Sequence, residues 1–433
     1  MLLIRPAPQP SESARGYLLR LADGNGLESP RWFAYWVGQQ GAASSAHENL
    51  TRLLGRALTG TRGPIANLAP LNAPDPGSLP MRYWNTRRPR FCPHCLEESG
   101  HWHGHWDIIF TTACVRHGVR LLDCCPDCGA ALAWDRPHLT QCACGFDLAT
   151  AATSAATPAE LALSGEIEAH LLSEVSASPW ARGLSLEALL RLVWFLGAYG
   201  RNAHAKPQKV VGLETVSVAA AMAAEAMAVL LNWPQGFHDL LARIDQRRQG
   251  QTSGNKLSGR FGSFYRALYK SFSGARYDFL REGFEHYVQE HWTGQLAARN
   301  RRLSTALRSR YEWISVVEAA RLLKVGADKV KRYLADGTLT GELHTTTSGR
   351  KMSAVRRESV EALLQRGQDR LTLKEARTLL GISRKKAYAL LDAGMLKPVS
   401  GPAVDGRAVW AFERAHVLDV ERHFQGTSWD GWA

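Results

Sequence analysis

The residues best able to do chemistry lie in one short block. All eight cysteines fall between Cys92 and Cys144, and seven of them, with His117, form four closely spaced pairs. Cys92-x-x-Cys95 is followed by Cys114-x-x-His117, and Cys125-x-x-Cys128 by Cys142-x-Cys144. Zinc prefers four tetrahedral ligands drawn from thiolate and imidazole, and a C-x-x-C on a tight turn offers two sulfurs to one ion. The spacing therefore predicts two sites, Cys92, Cys95, Cys114 and His117 in the first and Cys125, Cys128, Cys142 and Cys144 in the second. Four protein ligands leave no open position, so both expected Zn2+ ions are structural, and a small cysteine-rich segment depends on them to fold. Gly129 and Gly145 each follow the last cysteine of a pair, where a knuckle turn favours a residue free to take positive φ. Cys124 is left over and is expected as a buried thiol. His94, His101, His103 and His105 are alternative ligands by proximity. The last three alternate, as residues on one face of an extended segment do. Asp107, Asp123 and Asp127 lie among the ligands, where solvated or ligand-supporting roles are expected.

A second set of candidates sits on an internal repeat. Glu318-Ala319 matches Glu375-Ala376, Leu322-Leu323 matches Leu379-Leu380, and Leu334, Gly337, Leu339 and Val360 match Leu391, Gly394, Leu396 and Val417, always at an offset of 57 residues. A fixed offset without gaps argues for two copies of one small fold. Each copy reads as helix, tight turn, helix, then an extended hairpin. Copy one has helices over Ser315–Leu323 and Ala327–Ala335; copy two has them over Thr372–Leu380 and Arg384–Asp392. Ser315-x-x-Glu318 and Thr372-x-x-Glu375 both read as capping boxes, and Ser383 as a helix cap. The hairpins, His344–Lys351 and Gly401–Arg407, resemble wings. The second helix of such a motif lies in the DNA major groove. Here it carries Lys329, Lys331 and Arg332 in copy one, and Arg384, Lys385, Lys386 and Tyr388 in copy two. Arg350, Lys351 and Arg407 on the wings suit phosphates. The same exposed basic faces would also serve protein docking, and the residues leave both readings open.

These residues need elements to position them. A short helix is expected over 13–22 and another from Arg31, where Trp32, Phe33, Tyr35 and Trp36 supply bulk. Residues 57–80 are rich in Gly and Pro and read as a connection. Thr157-Pro158-Ala159-Glu160 is a helix start with a capping box, Ser185 caps a later helix, and 158–310 is mostly helical. Residues 232–236 interrupt that pattern, and 247–260 reads as a mobile basic loop. The fold class is mainly α with small β elements: paired zinc ribbons, a helical middle domain and tandem winged-helix or helix-turn-helix modules. The boundaries expected are 1–80, 81–150, 151–310, 311–368 and 369–433.

The whole chain has 433 residues, 53 Lys and Arg against 40 Asp and Glu, and a formal net charge of +13. That length predicts several domains, and that charge favours contact with nucleic acid through release of phosphate counterions. No stretch approaches the ~20 apolar residues of a membrane span, and the opening segment is too short and too proline-rich for a leader. The expected location is cytoplasmic and nucleoid-associated. There is no G-x-x-x-x-G-K-[ST] phosphate loop, and no carboxylate cluster is placed for two-metal strand transfer, so no enzyme activity is expected.

Three stretches carry a family resemblance. Tyr17-Leu18-Leu19-Arg20-Leu21-Ala22 with Asn25-Gly26, the block Arg90-x-Cys92-Pro93-x-Cys95 through Cys142-x-Cys144-Gly145, and Asn232-Trp233-Pro234-Gln235-Gly236-Phe237 together resemble the TniQ/TnsD family over roughly residues 1–270. The resemblance implies target-site selection in bacterial transposition. Such a subunit binds double-stranded DNA and recruits an AAA+ ATPase of the TnsC/TniB type, which brings the transposase. The alternative it leaves open is an adaptor for an RNA-guided CRISPR effector, with the tail docking protein. A zinc-containing transcription regulator would explain the tail alone. A homodimer is compatible with either transposition reading.

Overall fold

The computed structural model describes residues 2–9, 11–32, 79–172, 178–181, 183–202, 210–248, 257–292, 300–345 and 351–425. Phe33, Tyr35, Trp36, Arg350 and nearly all of the expected connection over 57–80 lie outside them. The chain forms two compact units, Met1–Gln249 with Phe261–Tyr287, and Val288–Ala433 with Gly250–Arg260. It is mainly α with three small antiparallel sheets among the described residues. No single helix there is long and apolar enough to cross a membrane.

The first unit opens with α1 (Ala14–Gly24), capped by Ser13, whose Oγ accepts from the Gly16 N–H. Its buried face, Tyr17, Leu18, Leu19 and Leu21, packs where the backbone can come close. A Cβ on Gly16 would stand 2.7 Å from the Trp102 Cβ. Asn25, just past the helix, accepts from the Leu3 and Ile4 N–H groups and so pins the preceding segment. The cysteine block follows with α2 (Pro93–Ser99) and a two-residue hairpin, β1 (Ala113–Cys114) against β2 (Val119–Arg120). Its core gathers Cys92, Cys95, Cys114, Cys125 and Cys142 with Leu19, Phe91, Trp102, Trp106, Leu121, Leu132 and Leu148, while Cys128 and Cys144 are exposed.

The helical part of this unit comprises α3 (Pro158–Leu171), α4 (Leu186–Arg201), α5 (Val216–Leu230), α6 (Gln235–Arg248), α7 (Gly262–Ser271) and α8 (Asp278–His291). Thr157 and Glu160 form the expected capping box of α3, and Ser185 caps α4. Helices α4 and α5 approach closely because Gly197 faces the Met222 backbone, leaving no room for a side chain. The break at 232–236 is shorter than expected: α6 already begins at Gln235, with Trp233 stacked on Phe237 at 5.0 Å. The loop expected over 247–260 is likewise partly helical. Helix α6 runs through Arg248, and Leu257–Arg260, which belongs to the second unit, forms another turn of helix.

The second unit repeats itself element by element. After α9 (Thr305–Arg310), copy one runs β3 (Trp313–Ser315), α10 (Val316–Leu323), α11 (Ala327–Ala335), β4 (Gly341–Thr345), β5 (Lys351–Arg356) and α12 (Arg357–Gln368). Copy two runs β6 (Arg370–Thr372), α13 (Leu373–Leu379), α14 (Arg384–Asp392), β7 (Ala411–Glu413) and α15 (Arg414–Gln425). Strand β6, α14 and α15 reproduce β3, α11 and α12 at the offset of 57. Each copy closes its own core, around Ile314, Ala319, Val330, Leu339, Val355 and Val360 in the first and Leu371, Ala376, Ala387, Leu396, Phe412 and Val417 in the second.

The structure adds a leading strand and a closing helix to the helix-helix-hairpin pattern, and it corrects two details. In copy one, β3 and β4 flank β5, with His344 opposite Met352 and Thr345 opposite Lys351. Copy two has no such hairpin. Residues 401–406 form compact turns held by Asp405, which accepts from Ser400 Oγ at 2.8 Å and the Gly401 N–H at 2.9 Å, and Gly401 lies tight under the Trp410 ring. The second correction concerns Ser315. It caps α10, but Glu318 closes no box because Arg321, one turn on, takes its carboxylate at 2.6 Å. Copy two has Thr378 at the matching position, and there Thr372 and Glu375 complete the box.

Candidate metal centres and basic helices

Cys92 is the N-cap of α2, Pro93 occupies its first turn, and Cys95 follows within that turn. The opposite pair comes from the hairpin: Cys114 ends β1, and His117 lies in the turn before Gly118, which takes φ +68°. The Phe91–Leu122 bridge holds the two parts together. His117 Nδ1 lies 3.5, 3.3 and 3.5 Å from the sulfurs of Cys92, Cys95 and Cys114, and the Cys95 and Cys114 sulfurs are 3.5 Å apart. In the second cluster Cys125 and Cys144 are 3.7 Å apart, and Cys128 and Cys142 3.8 Å. Within each cluster all four ligand atoms lie inside 4.8 Å of one another. Around tetrahedral zinc, with Zn–S about 2.3 Å and Zn–N about 2.0 Å, ligand-to-ligand edges come to roughly 3.5–3.8 Å. The donors thus fit a divalent ion of that size, and both clusters could bind metal ions.

The local backbone explains why. Gly129 and Gly145 take φ +69° and +92°, letting the chain turn back directly after Cys128 and Cys144. Gly129 N–H donates to the Cys125 carbonyl and Gly145 N–H to that of Cys142. Crowding splits the thiols. Contacts with Cys114 and Cys95 push Cys92 down to about 3, whereas Cys95 is pushed up by Cys114 and Cys92. A bound cation replaces that competition by holding every sulfur as thiolate.

Glu98 completes the first centre, and the spacing of the ligands alone does not point to it. Its Oε1 lies 3.0 Å from His117 Nε2, which leaves Nδ1 as the ligand atom. Burial works against a charged His117, but the bonds to Glu98 and Cys114 win and its pKa rises; the His117 bond lowers that of Glu98. The available signal was Glu98 standing three residues after Cys95 on one short helix. Asp127 lies 3.9 Å from the Cys144 sulfur, in the supporting position expected.

Other residues of the block depart from expectation. Cys124 is exposed, because it is bridged to Ala131 in extended backbone and adjacent side chains there point to opposite sides, Cys125 inward. Asp123 caps α5 by accepting from the Val216 N–H at 2.9 Å, and Asp107 is buried, accepting from Ser13 Oγ at 2.6 Å. Burial raises the Asp107 pKa to about 6. His94, His101, His103 and His105 belong to neither ligand cluster. The rings of the last three follow one another at 4.6 and 5.4 Å, although Gly104 turns the backbone into a 3-10 helix. Burial lowers His103 to about 4 and His105 to about 3.

Two buried arginines hold the block in place. Arg90 donates to the carbonyls of Ile109 and Thr111 at 2.8 and 2.7 Å and to those of Leu213 and Glu214 at 3.2 Å each. Arg136 lies 4.8 Å over the Trp102 ring and donates to the carbonyls of His138 and Leu139. Burial lowers both to about 10.

The basic candidates of the second unit are placed as follows. Lys329, Lys331 and Arg332 are exposed on α11, with Lys331 2.9 Å from Asp328. Arg384, Lys385 and Tyr388 are exposed on α14 and Lys386 is half-buried; the first turn of α14 carries no acid, and Ser383 caps it. Arg407 is exposed in the turns of copy two, with its Nε 3.5 Å from Asp405. Lys351 opens β5.

No curated protein matches the chain. The stretch that does match a family is shorter than the 1–270 of the sequence resemblance, and it takes in α1 and the whole first metal cluster but stops before the second. The TniQ family model matches residues 3–121, and over that stretch the chain is a TniQ domain.

Proposed function

We propose that this transposition-associated protein is a non-catalytic target-selection subunit. Two structural zinc ions hold paired zinc ribbons, two helix-turn-helix modules, the first of them winged, bind double-stranded DNA, and the TniQ domain recruits an AAA+ ATPase that brings the transposase. The observation that carries this reading is a TniQ domain joined in one chain to two copies of a helix-turn-helix with basic second helices. Closed four-ligand clusters support structural rather than catalytic metal, since catalytic zinc keeps a position for water.

The test is a salt-titrated binding assay on the zinc-loaded full chain. It compares duplexes flanking known insertions with random duplexes, for the natural sequence and for Arg384→Glu/Lys385→Glu. Selective binding that this pair of substitutions weakens about tenfold or more supports the reading. Weak binding equal across sequences, unchanged by the substitutions, would assign the address to a partner such as an RNA-guided effector and make the tail a docking platform.

A further inference from the structure

We propose that a basic cleft in the first unit is a docking site for an acidic, apolar peptide segment of a partner protein. The cleft, of about 580 Å3, opens between α4, α7 and the 3-10 turn Met81–Tyr83. On α4 it takes Arg191, Trp194, Phe195 and Tyr199, and on α7 Ser263, Arg266, Ala267 and Lys270. Both sets recur at intervals of three and four, so each is one helix face. The inference does not depend on the DNA-binding reading of the second unit.

Charge and shape identify the occupant. Arg82, Arg191, Arg266 and Lys270 line the cleft, and among the described residues no Asp or Glu does. Two of the guanidiniums lie over rings, Arg82 over Tyr83 at 4.8 Å and Arg191 over Phe272 at 5.4 Å, which orients them without neutralising them. Glu187 is the acid whose charge reaches Tyr83. Four cations on the lining leave a positive rim. The floor is apolar: the half-buried Trp194 lines it together with the packed rings of Tyr83, Phe195, Tyr199 and Phe272.

That floor is unsuited to nucleobases. Tyr83 and Trp194 meet edge to face at 6.0 Å, Phe195 and Tyr199 at 5.2 Å, and stacking a base needs an open ring face. A duplex is convex and does not enter a concave cleft of this size. A short chain segment does, with one or two aliphatic or aromatic anchors on the floor and Asp or Glu on the rim.

The experiment measures fluorescence anisotropy with the zinc-loaded full chain. The probe is a labelled short peptide in which glutamate alternates with leucine and phenylalanine. Controls are a lysine-for-glutamate peptide and a glutamate–serine peptide without anchors. The acidic apolar peptide is expected to bind, and Arg266→Glu/Lys270→Glu to weaken it about tenfold or more. Arg384→Glu/Lys385→Glu, of equal charge change in the other unit, should leave it within about twofold. The lysine peptide should fail on the natural sequence, and duplex affinity should be unmoved by the cleft variant. Absence of peptide binding overturns the proposal, as does equal binding of the glutamate–serine peptide or equal loss in both variants. So does a cleft variant that loses single-stranded oligonucleotide or mononucleotide binding and keeps the peptide.

Discussion

Lys324 ends α10 in the left-handed conformation, φ +55° and ψ +38°, whereas the matching position of copy two is Gly381 at φ +65°. A side chain in that region costs about 1 kcal/mol relative to glycine. Lys324→Gly should therefore raise the stability of the C-terminal unit by about 1 kcal/mol, and Gly381→Lys should lower it comparably. Urea unfolding of the full chain checks both; a neutral Lys324→Gly would mean the helix end relaxes in solution. Metal analysis tests the ligand sets. Two zinc ions per chain are expected for the natural sequence and for Cys124→Ser, and one for Cys114→Ser if the second cluster stands alone. Loss of an ion from Cys124→Ser would overturn the assignment. The buried histidines give a pH signature. His103 and His105 lie far below the ordinary value of 6.5, so on acidification the unfolded chain takes up their protons first. Their contribution is present above pH 6.5 and is lost as pH falls through about 4. Replacing both by glutamine should flatten stability between those limits, and an unchanged slope would exclude them. The ligands were legible because cysteine spacing is local. The roles of Arg90 and Arg136 were not, since a charged side chain satisfied by distant carbonyls leaves no periodic trace, and Glu98 left only its one-turn spacing from Cys95.

Packing of elements turns on a few positions. Gly197 faces the Met222 carbonyl oxygen, which a Cβ would approach to 2.5 Å. Gly197→Ala would gain roughly 1 kcal/mol of helix propensity, but forcing backbone apart in a packed core costs about 1–3 kcal/mol, so the sterics should win. Thermal unfolding should show a lower Tm; a higher one would mean α4 and α5 separate easily. The same contrast between visible and hidden signals governs the repeat. Its helices were legible from apolar spacing and caps, and the offset of 57 fixed their register. The strands β3 and β6 are three residues each, too short for alternation to show. The closing helices α12 and α15 begin at arginines, and of the residues they put into the cores, Val360, Leu363 and Leu364 in one and Val417 and Val420 in the other, only Val360 and Val417 stood out by the repeat. The missing hairpin of copy two follows from Asp405, which draws its neighbours into a turn instead of a strand.

Over the whole molecule, the net charge of +13 is not spread evenly in function. Lys331 already has Asp328 as a neighbour, while Arg384 and Lys385 open α14 with no acid in its first turn. Copy two should therefore carry more of the phosphate contact. Lys385→Glu is expected to weaken duplex binding more than Lys331→Glu, and each lost phosphate contact should reduce the salt slope by about 0.9. Equal effects would place the two copies on equal terms. Arg90 gives the first unit a different kind of unity. Two residues before Cys92, it spans from the carbonyls beside the metal hairpin to those leading into α5. Helix α5 is thereby wired to the first centre, though it supplies no ligand. Withdrawing a bound metal should be felt as faster amide exchange along this helix, so an ion in the first centre would act as a remote latch on the bundle as well as a local staple.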